Sequence, residues 1–207
     1  MKPKHNESNL DELRDITITP YIQLATPLIT VPRKIGGNMF RHQMATLTIL
    51  IDYKFTDSVM LKAAVIHDLL EDVPETPIEK IIEADFEGRE VLKVVLELTK
   101  DPIKETKIEY LKRLHKNGSY RAKVIKLADR ISNITDITTD IFFKDWIDNY
   151  IKQTEKYILP IAQEINDDMY LELRDSLEKK KELVSIIYQS KKAAKLWLRM
   201  SGKKKKK

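Results

Sequence analysis

Apolar residues recur three and four positions apart through most of the chain, which is the period of an amphipathic α-helix. Pro, Gly and Asn-Gly or Asp-Pro pairs interrupt this pattern at intervals. No segment alternates as a strand does, no internal repeat is present, and no linker divides the chain. The pattern therefore predicts an all-α, single-domain protein, with helical segments at about 18–30, 40–53, 57–72, 77–84, 87–99, 104–116, 119–137, 146–161 and 168–198. The segment at 146–161 is expected to be interrupted or kinked at Pro160.

Both ends of the chain differ from this helical body. Residues 1–15 are polar and are expected to form a flexible N-terminal segment, so the domain is placed at 16–200. Residues 201–207 form a lysine-rich tail. We interpret the tail as a flexible solubilising segment, and the alternative is a tether to RNA or to an anionic membrane.

Composition narrows the functional classes. Lys203–Lys207 supply five of the 37 basic residues, and the remaining 32 balance the 32 acidic residues. A neutral body gives no electrostatic argument for nucleic-acid binding. The absence of cysteine excludes disulfides and thiolate sites, and no signal peptide or membrane-spanning run is visible, which favours a cytoplasmic protein without a membrane partner.

The segment Ala63–Asp72 is an apolar run that suddenly presents four ionisable side chains. If the segment is one helix, His67 with Glu71 and Asp68 with Asp72 form two i, i+4 pairs on a single face. Buried charges without partners cost several kcal/mol. A divalent cation is the simplest partner, and the alternative is a solvated helix edge with surface acids.

Further ligands are expected from two other segments. His42 begins an apolar helix after a Gly-Gly loop, whereas His5 lies in the polar tail and His115 near a solvated helix end. Asp129 interrupts an apolar helix, with Asn133 one turn later on the same face. His42 could instead be a core or capping histidine, and Asp129 could form a surface pair with Lys126 or Arg130. Two imidazoles and two carboxylates suit Mn²⁺, Fe²⁺ or Zn²⁺.

The order His42, His67-Asp68, Asp129 is similar to that of the HD superfamily of metal-dependent phosphohydrolases. Three motifs resemble those of RelA/SpoT-type alarmone hydrolases in sequence and order: an R-K-x-G loop, an HDxxED motif and a K-L-A-D-R-x-x-N motif. They stand here as Arg33-Lys34-Ile35-Gly36, His67-Asp68-Leu69-Leu70-Glu71-Asp72, and Lys126-Leu127-Ala128-Asp129-Arg130-Ile131-Ser132-Asn133. The likeness extends over roughly residues 20–165.

This resemblance implies an HD-type bundle of about eight to ten helices, with the metal site within 33–133 and C-terminal helices at 142–198. It implies hydrolysis of the 3′-pyrophosphate of guanosine tetra- or pentaphosphate (ppGpp or pppGpp), usually with Mn²⁺, and so a small-molecule nucleotide as the partner. The implied roles are as follows: His42, His67, Asp68 and Asp129 bind the metal, Glu71 and Asp72 position and activate water, and Arg33, Lys34 and Asn133 contact the nucleotide.

The chain also departs from the larger bifunctional enzymes of this family. Asn38–Arg41 replace a Pro-Tyr type run, and Gln43 replaces the proline that commonly follows the first histidine. We expect these changes to alter the mouth of the pocket and not the metal site. Three alternatives stay open: an NADPH 2′-phosphatase, a deoxynucleotidase, and a nucleotide sensor without turnover. The sequence leaves the oligomeric state open.

Overall fold

The protein is described by a computed structural model over residues 11–203, with side chains described as far as Trp197. His5, most of the predicted N-terminal segment and Lys204–Lys207 lie outside the described residues. Within that segment, Leu13–Asp15 form a single 3₁₀ turn.

The described chain is built from α-helices and short 3₁₀ turns, which confirms the all-α prediction. Nine α-helices in this part of the chain have seven residues or more, in agreement with the predicted eight to ten. A second 3₁₀ turn spans Thr26–Thr30. The α-helices are α1 (Thr19–Ala25), α2 (Met39–Asp52), α3 (Ser58–Val65), α4 (Leu69–Asp72), α5 (Ile78–Ile82), α6 (Gly88–Leu98), α7 (Lys107–Asn117), α8 (Tyr120–Asp136), α9 (Lys144–Tyr157), α10 (Leu159–Ile165) and α11 (Asp167–Lys203).

Side-chain caps set the starts of the helices that carry the site. Asn38 Oδ1 accepts a hydrogen bond from the backbone N–H of Arg41 at the start of α2, and Asp57 Oδ1 accepts one from Met60 at the start of α3. Thr106 and Glu109 form a reciprocal capping box at α7. Each cap satisfies backbone donors that the first helical turn would leave unpaired.

Helix α8 runs through the centre of the fold. It packs against α2, α3, α6, α7, α10 and α11, and its Leu127, Ala128, Ile131 and Ile134 are all buried. Burying this much apolar surface fixes the position of any polar side chain on the same helix. Asp129 is therefore held in the interior.

The predicted single helix over 57–72 is wrong at one point, because α3 ends at Val65 and α4 begins at Leu69. Ile66 (φ −128°, ψ 19°) and Asp68 (φ −102°, ψ 1°) leave the helical conformation. In a regular helix adjacent side chains point about 100° apart. The break instead brings His67 Nε2 and Asp68 Oδ2 within 3.1 Å of each other.

The apolar pattern predicts that Met44, Leu47, Leu50 and Ile51 face inward from α2, and of these four only Ile51 does not pack against the core. His42, Gln43 and Thr46 are buried with Leu50, whereas Ile51 is 36% exposed. The polar side chains enter the interior because that side of the helix faces the cluster described below. None of the helices in the described residues is long and apolar enough to cross a membrane.

Candidate metal centre and its pocket

The four predicted metal ligands converge between α2, the α3–α4 break and α8. His42 Nε2 lies 2.9 Å from Asp129 Oδ1, and His67 Nε2 lies 3.1 Å from Asp68 Oδ2. The distances across the group are 3.8 Å from His42 to Asp68 and 3.9 Å from His67 to Asp129. His42, His67 and Asp129 are buried, while the Asp68 side chain is 18% exposed. The ligand atoms of His42, His67 and Asp129 all lie within 4.8 Å of one another, so these three residues could hold one ion. Asp68 lies at the edge of this group, next to the two histidines.

His67 shows why this cluster fits a cation. Its Nδ1 donates a hydrogen bond to the carbonyl oxygen of Ala64 at 2.8 Å, which leaves the lone pair of neutral imidazole on Nε2. Nε2 is buried without a hydrogen-bond partner, although a carboxylate oxygen is near. A backbone contact that fixes the ring while the other nitrogen faces acidic oxygens is typical of metal-binding histidines.

His42 is fixed in a similar way from the opposite side. Its Nδ1 lies 3.3 Å from the hydroxyl of Ser132, and its Nε2 faces Asp129. The two imidazole rings meet edge to face with centroids 5.4 Å apart. Both Nε2 atoms therefore point toward the same carboxylates.

The two carboxylates of the cluster both have lowered pKa values. Burial raises the pKa of Asp68, but His67 outweighs it and holds that pKa at about 2. Burial also raises the pKa of Asp129, yet Lys126 and the two histidines hold it well below its usual range. Both carboxylates are therefore ionised at neutral pH, as metal ligands must be.

The alternative to metal binding was a surface ion pair of Asp129 with Lys126 or Arg130. Of these two residues, Lys126 forms an ion pair with Asp129. Its Nζ lies 2.7 Å from Asp129 Oδ2, but both side chains are buried. Burial lowers the pKa of Lys126, whereas Asp129 raises it well above its usual range. Lys126 thus binds one oxygen of Asp129 while the other oxygen faces the histidines.

Gln43 belongs to this centre, which corrects the expectation that it would affect only the pocket mouth. Its side chain is fully buried, and its Nε2 donates to Asp68 Oδ2 at 3.3 Å. Proline has no side-chain donor for such a contact. The substitution therefore adds a group that orients a ligand.

A cavity of about 390 Å³ opens above the cluster and reaches Asp68 and Asp129. Five basic side chains line it: Arg33, Lys100, Lys107, Lys126 and Arg130. Aromatic side chains also line the cavity, from Tyr110, Phe142, Trp146 and Tyr150. Such a combination suits an anionic ligand with a flat ring.

The two predicted water-positioning acids take different places. Glu71 lines the cavity, is exposed, and accepts a hydrogen bond from the backbone N–H of Lys100 at 3.2 Å. Asp72 does not line the cavity, and its Oδ2 is buried without a hydrogen-bond partner. Burial, then the charges of Asp68 and Glu71, raise the pKa of Asp72 to about 6. Only Glu71 is therefore placed to meet a ligand in the cavity.

Of the three predicted nucleotide contacts, two line the cavity and one does not. Arg33 lines the cavity, with Nη1 donating to Asp136 and Nη2 donating to Asn133, each at 2.7 Å. Asn133 lines it too, and its amide donates to Asp129. Lys34 is exposed and lies outside the cavity lining. Asp136, absent from the predicted site, thus holds the guanidinium group at the cavity.

Sequence reasoning missed the residues of α7 and α9 in the cavity wall. Lys107 lies with its Nζ 5.0 Å from the centre of the Tyr150 ring, and the Arg130 guanidinium lies 4.2 Å from the same ring. Phe142, Trp146 and Tyr150 form a continuous stack, with centroid separations of 4.2 and 5.1 Å. Burial, then Arg130 and Lys126, lower the pKa of Lys107 to about 8.

Two curated proteins match part of the chain. The guanosine-3′,5′-bis(diphosphate) 3′-pyrophosphohydrolase MESH1 of Mus musculus is 38% identical over 106 residues, or 49% of this chain and 57% of that protein. The protein of the same name from Drosophila melanogaster is 35% identical over 103 residues, or 46% and 54%. The chain thus spans little more than half the length of these curated relatives. No protein-family model matches it.

A solved structure extends the comparison over more of the chain. It is described as a metazoan ortholog of SpoT that hydrolyses ppGpp and plays a role in starvation responses. It superposes with a TM-score of 0.68 at 25% identity, over 79% of this chain and 94% of that one. The resemblance predicted from the motifs is confirmed: the chain has the helical HD-type hydrolase fold and is similar to ppGpp 3′-pyrophosphohydrolases.

Proposed function

We propose that this protein hydrolyses the 3′-pyrophosphate of ppGpp and pppGpp, giving GDP or GTP and pyrophosphate. The observation that carries the proposal is the convergence of His42, His67, Asp68 and Asp129 at the base of a cavity lined by basic and aromatic side chains. The activity named for the mouse and fly relatives, and for the solved structure, supports the same reaction.

The ligand set is proposed to hold one divalent cation, with Mn²⁺ as the preferred ion and Fe²⁺ or Zn²⁺ as possible substitutes. Nitrogen and oxygen donors without thiolate suit these ions. When bound, such an ion supplies Lewis-acid polarisation of a phosphoryl oxygen and lowers the pKa of water. Gln43, Ser132 and the Ala64 carbonyl keep the ligands oriented before the ion arrives.

Glu71 is proposed to accept a proton from the attacking water. Its carboxylate lines the cavity near the ligand cluster, and its contact with the backbone N–H of Lys100 fixes its direction. Asp72 does not line the cavity, so we propose that it does not contact the substrate. Its role is instead electrostatic, because its carboxylate interacts with those of Glu71 and Asp68. Glu71 and Asp72 thus have different proposed roles, although the sequence motif implies the same role for both.

The cavity wall is proposed to bind the nucleotide. Basic groups at Arg33, Lys107 and Arg130 match the phosphate charges, and a guanidinium group can chelate two phosphate oxygens. The exposed edge of the stack, Trp146 at 40% exposure, offers a flat surface for the purine ring. Asn133 is proposed to contact the sugar or base. Lys34 is proposed to act only through long-range attraction, since it is exposed outside the cavity lining.

A cytoplasmic location and a role in the stringent response remain predictions that accompany this proposal. The basis for the second is that the solved relative is described as having a role in starvation responses.

The proposal is tested by incubating purified protein with ppGpp and Mn²⁺ and measuring GDP and pyrophosphate, with NADPH in a parallel reaction. We expect both products from ppGpp, and none after EDTA treatment. Orthophosphate from NADPH without turnover of ppGpp would contradict the substrate and support the phosphatase alternative. Binding of ppGpp without turnover of either nucleotide would contradict catalysis and support a sensor.

A further inference from the structure

The C-terminal half of α11 is a part of the fold that the nucleotide site does not use. Helix α11 spans Asp167–Lys203, about 55 Å at 1.5 Å per residue. Met169, Leu173, Leu177 and Val184 bury its first half against the body. Further along, the hydroxyl of Tyr188 accepts a hydrogen bond from the backbone N–H of Lys144 at 2.8 Å. Residues 189–197 are all exposed.

An apolar stripe continues along α11 where the helix leaves the body. Ile186, Ala193 and Trp197 stand seven and four residues apart, so they share one side of the helix. Ile186 is 61% exposed, Trp197 is 69% exposed, and Leu183 next to this stripe is 49% exposed. We call Leu183, Ile186, Ala193 and Trp197 the apolar stripe of α11. Large apolar side chains clustered at such exposures mark an interaction surface.

The other side of the same segment is basic. Lys191 and Lys195 stand seven and eleven residues after the buried Val184, so the side that packs on the body upstream becomes cationic beyond it. Lys192 lies beside them. The sequence contains no Asp or Glu after Glu182, and Arg199 and Lys203–Lys207 bring the basic residues beyond that point to nine.

We propose that the C-terminal half of α11 lies on the surface of an anionic lipid bilayer, with the apolar stripe in the lipid and the lysines at the headgroups. An amphipathic helix with Trp, Leu and Ile on one face and Lys on the other is the form that binds in the plane of a membrane interface. Nine basic residues without an acid complement the negative charge of phosphatidylserine or a similar lipid.

Two other occupants fit these observations less well. A nucleic acid would engage the lysines, but its interfaces are polar and would leave the apolar stripe in water. A second copy of α11 would cover the stripe, but it would bring two helix ends of the same sign together without acids to pair them. A lipid surface can contact both faces of the helix, since its apolar interior would cover the apolar stripe and its anionic headgroups would pair with the lysines. The inference extends the lipid tether considered for the lysine tail and revises the expectation of no membrane partner.

The test is co-sedimentation of the full chain with vesicles of phosphatidylcholine containing about 30 mol% phosphatidylserine, and with vesicles of phosphatidylcholine alone. We expect binding to the anionic vesicles only, lost at about 0.5 M salt because the attraction is screened. Trp197 fluorescence should shift to shorter wavelength on binding, and the shift should be absent in Trp197→Phe.

Two sets of variants separate the two faces. Leu183→Ser with Ile186→Ser should lower vesicle binding at least about tenfold, and Lys191→Gln, Lys192→Gln and Lys195→Gln together about a hundredfold. The matched controls change the exposed Ile29 and Ile78 to Ser, or the exposed Lys80, Lys112 and Lys152 to Gln, and should bind as the wild type does. Because all these positions are exposed, thermal unfolding midpoints should stay within a few degrees.

Four outcomes would overturn the proposal. These are no binding to anionic vesicles, equal binding to neutral vesicles, equal loss in the body controls, and a dimer through α11 that persists while vesicles are ignored. Binding of RNA with loss of vesicle binding would assign the lysines to nucleic acid and overturn it as well.

Discussion

Two clusters of buried charge involve α3 or the residues just after it, one around Lys62 and one around His67, and they differ in whether their polar atoms find partners. In one, Lys62 is buried and its Nζ contacts Asp85 at 2.5 Å and Glu87 at 2.6 Å. Tyr21 and Ser58 donate hydrogen bonds to the same two carboxylates. In the other, acidic oxygens and imidazole nitrogens meet, and His67 Nε2 has no hydrogen-bond partner.

The difference separates a structural cluster from a functional one. Around Lys62, the ammonium group donates to two carboxylates, and hydroxyl groups from α1 and α3 donate further hydrogen bonds to the same carboxylates. The charged groups of this cluster therefore have partners within the protein. Around His67, two carboxylates and two imidazoles are accompanied by a single lysine, and the ligand atoms of His42, His67 and Asp129 lie within 4.8 Å of one another. Buried groups without partners destabilise a fold unless a ligand completes them. The second cluster is therefore expected to need a cation, and the first is not.

The largest expected effect comes from removing a ligand of the second cluster. His67→Ala or Asp129→Ala should lose metal and lower turnover of ppGpp by about a thousandfold or more, since the ion supplies several kcal/mol of transition-state stabilisation. The measurement is turnover together with bound metal per chain. Near-normal turnover by either variant would contradict the assignment of this cluster.

Glu71→Gln should separate chemistry from metal binding. The amide cannot accept the proton of water, so we expect about a hundredfold loss of kcat with bound metal unchanged. Asp72→Asn serves as a comparison and should have the smaller effect, because Asp72 lies outside the cavity lining. An equal or larger loss for Asp72→Asn would reverse the two roles.

Lys62→Met should affect stability and not chemistry. Removing the cation leaves Asp85 and Glu87 close together and partly buried, which should lower the free energy of unfolding by about 2–3 kcal/mol. Denaturant unfolding measures this loss, and kcat of the folded variant should match the wild type. Lys93→Met, which breaks the exposed pair with Glu90, should change stability by less than about 1 kcal/mol. A fall in kcat for Lys62→Met would show that the Lys62 cluster also contributes to catalysis, contrary to this expectation.

Asp136→Asn should act on nucleotide binding through Arg33. The carboxylate holds Arg33 Nη1 at 2.7 Å, and a neutral amide holds it less firmly. We expect KM to rise by about tenfold with kcat little changed, because the contact is made in the ground state and the transition state alike. Asp136→Glu should restore part of the affinity, whereas a loss confined to kcat would place Asp136 in the chemical step.

The smallest expected effect is a dependence on pH through Lys107, whose pKa is lowered to about 8 by burial and by Arg130 and Lys126. Below this pKa the ammonium attracts phosphate, and above it the neutral amine does not. We therefore expect kcat/KM to fall several-fold, at most by about tenfold, between about pH 7.5 and 9. Lys107→Met should lower kcat/KM at neutral pH and flatten this fall, while the exposed Lys104→Met should leave it unchanged. An unaltered profile in Lys107→Met would assign the titration to another group.

The sequence was sufficient to predict most of the helices, and to select the histidines and acids that the fold brings together around His67. Helical periodicity is a local property, so the elements around Met39–Asp52 and Tyr120–Asp136 were predicted within one or two residues. The ligands were predicted because buried acids and histidines in apolar segments demand a partner. The confirmed fold and resemblance follow from these two signals.

The break in the helix at His67-Asp68 and the cavity wall were not predicted. The break depends on backbone angles at Ile66 and Asp68 that no Pro or Gly announces. Tyr150 and Trp146 belong to an ordinary apolar stripe in the sequence, and Lys107 to an ordinary helix start. Their common pocket arises only when α7 and α9 pack beside α8, which is a contact between distant segments.

The central claim is that the His67 cluster is completed by a cation and the Lys62 cluster is not. Calorimetric titration of metal-free protein with Mn²⁺ tests it most directly, with wild type, His67→Ala and Lys62→Met compared. We expect one ion per chain for the wild type and for Lys62→Met, and no binding at this site for His67→Ala. If the wild-type protein binds no ion, or if His67→Ala binds it as tightly as the wild type does, the His67 cluster is not a metal site.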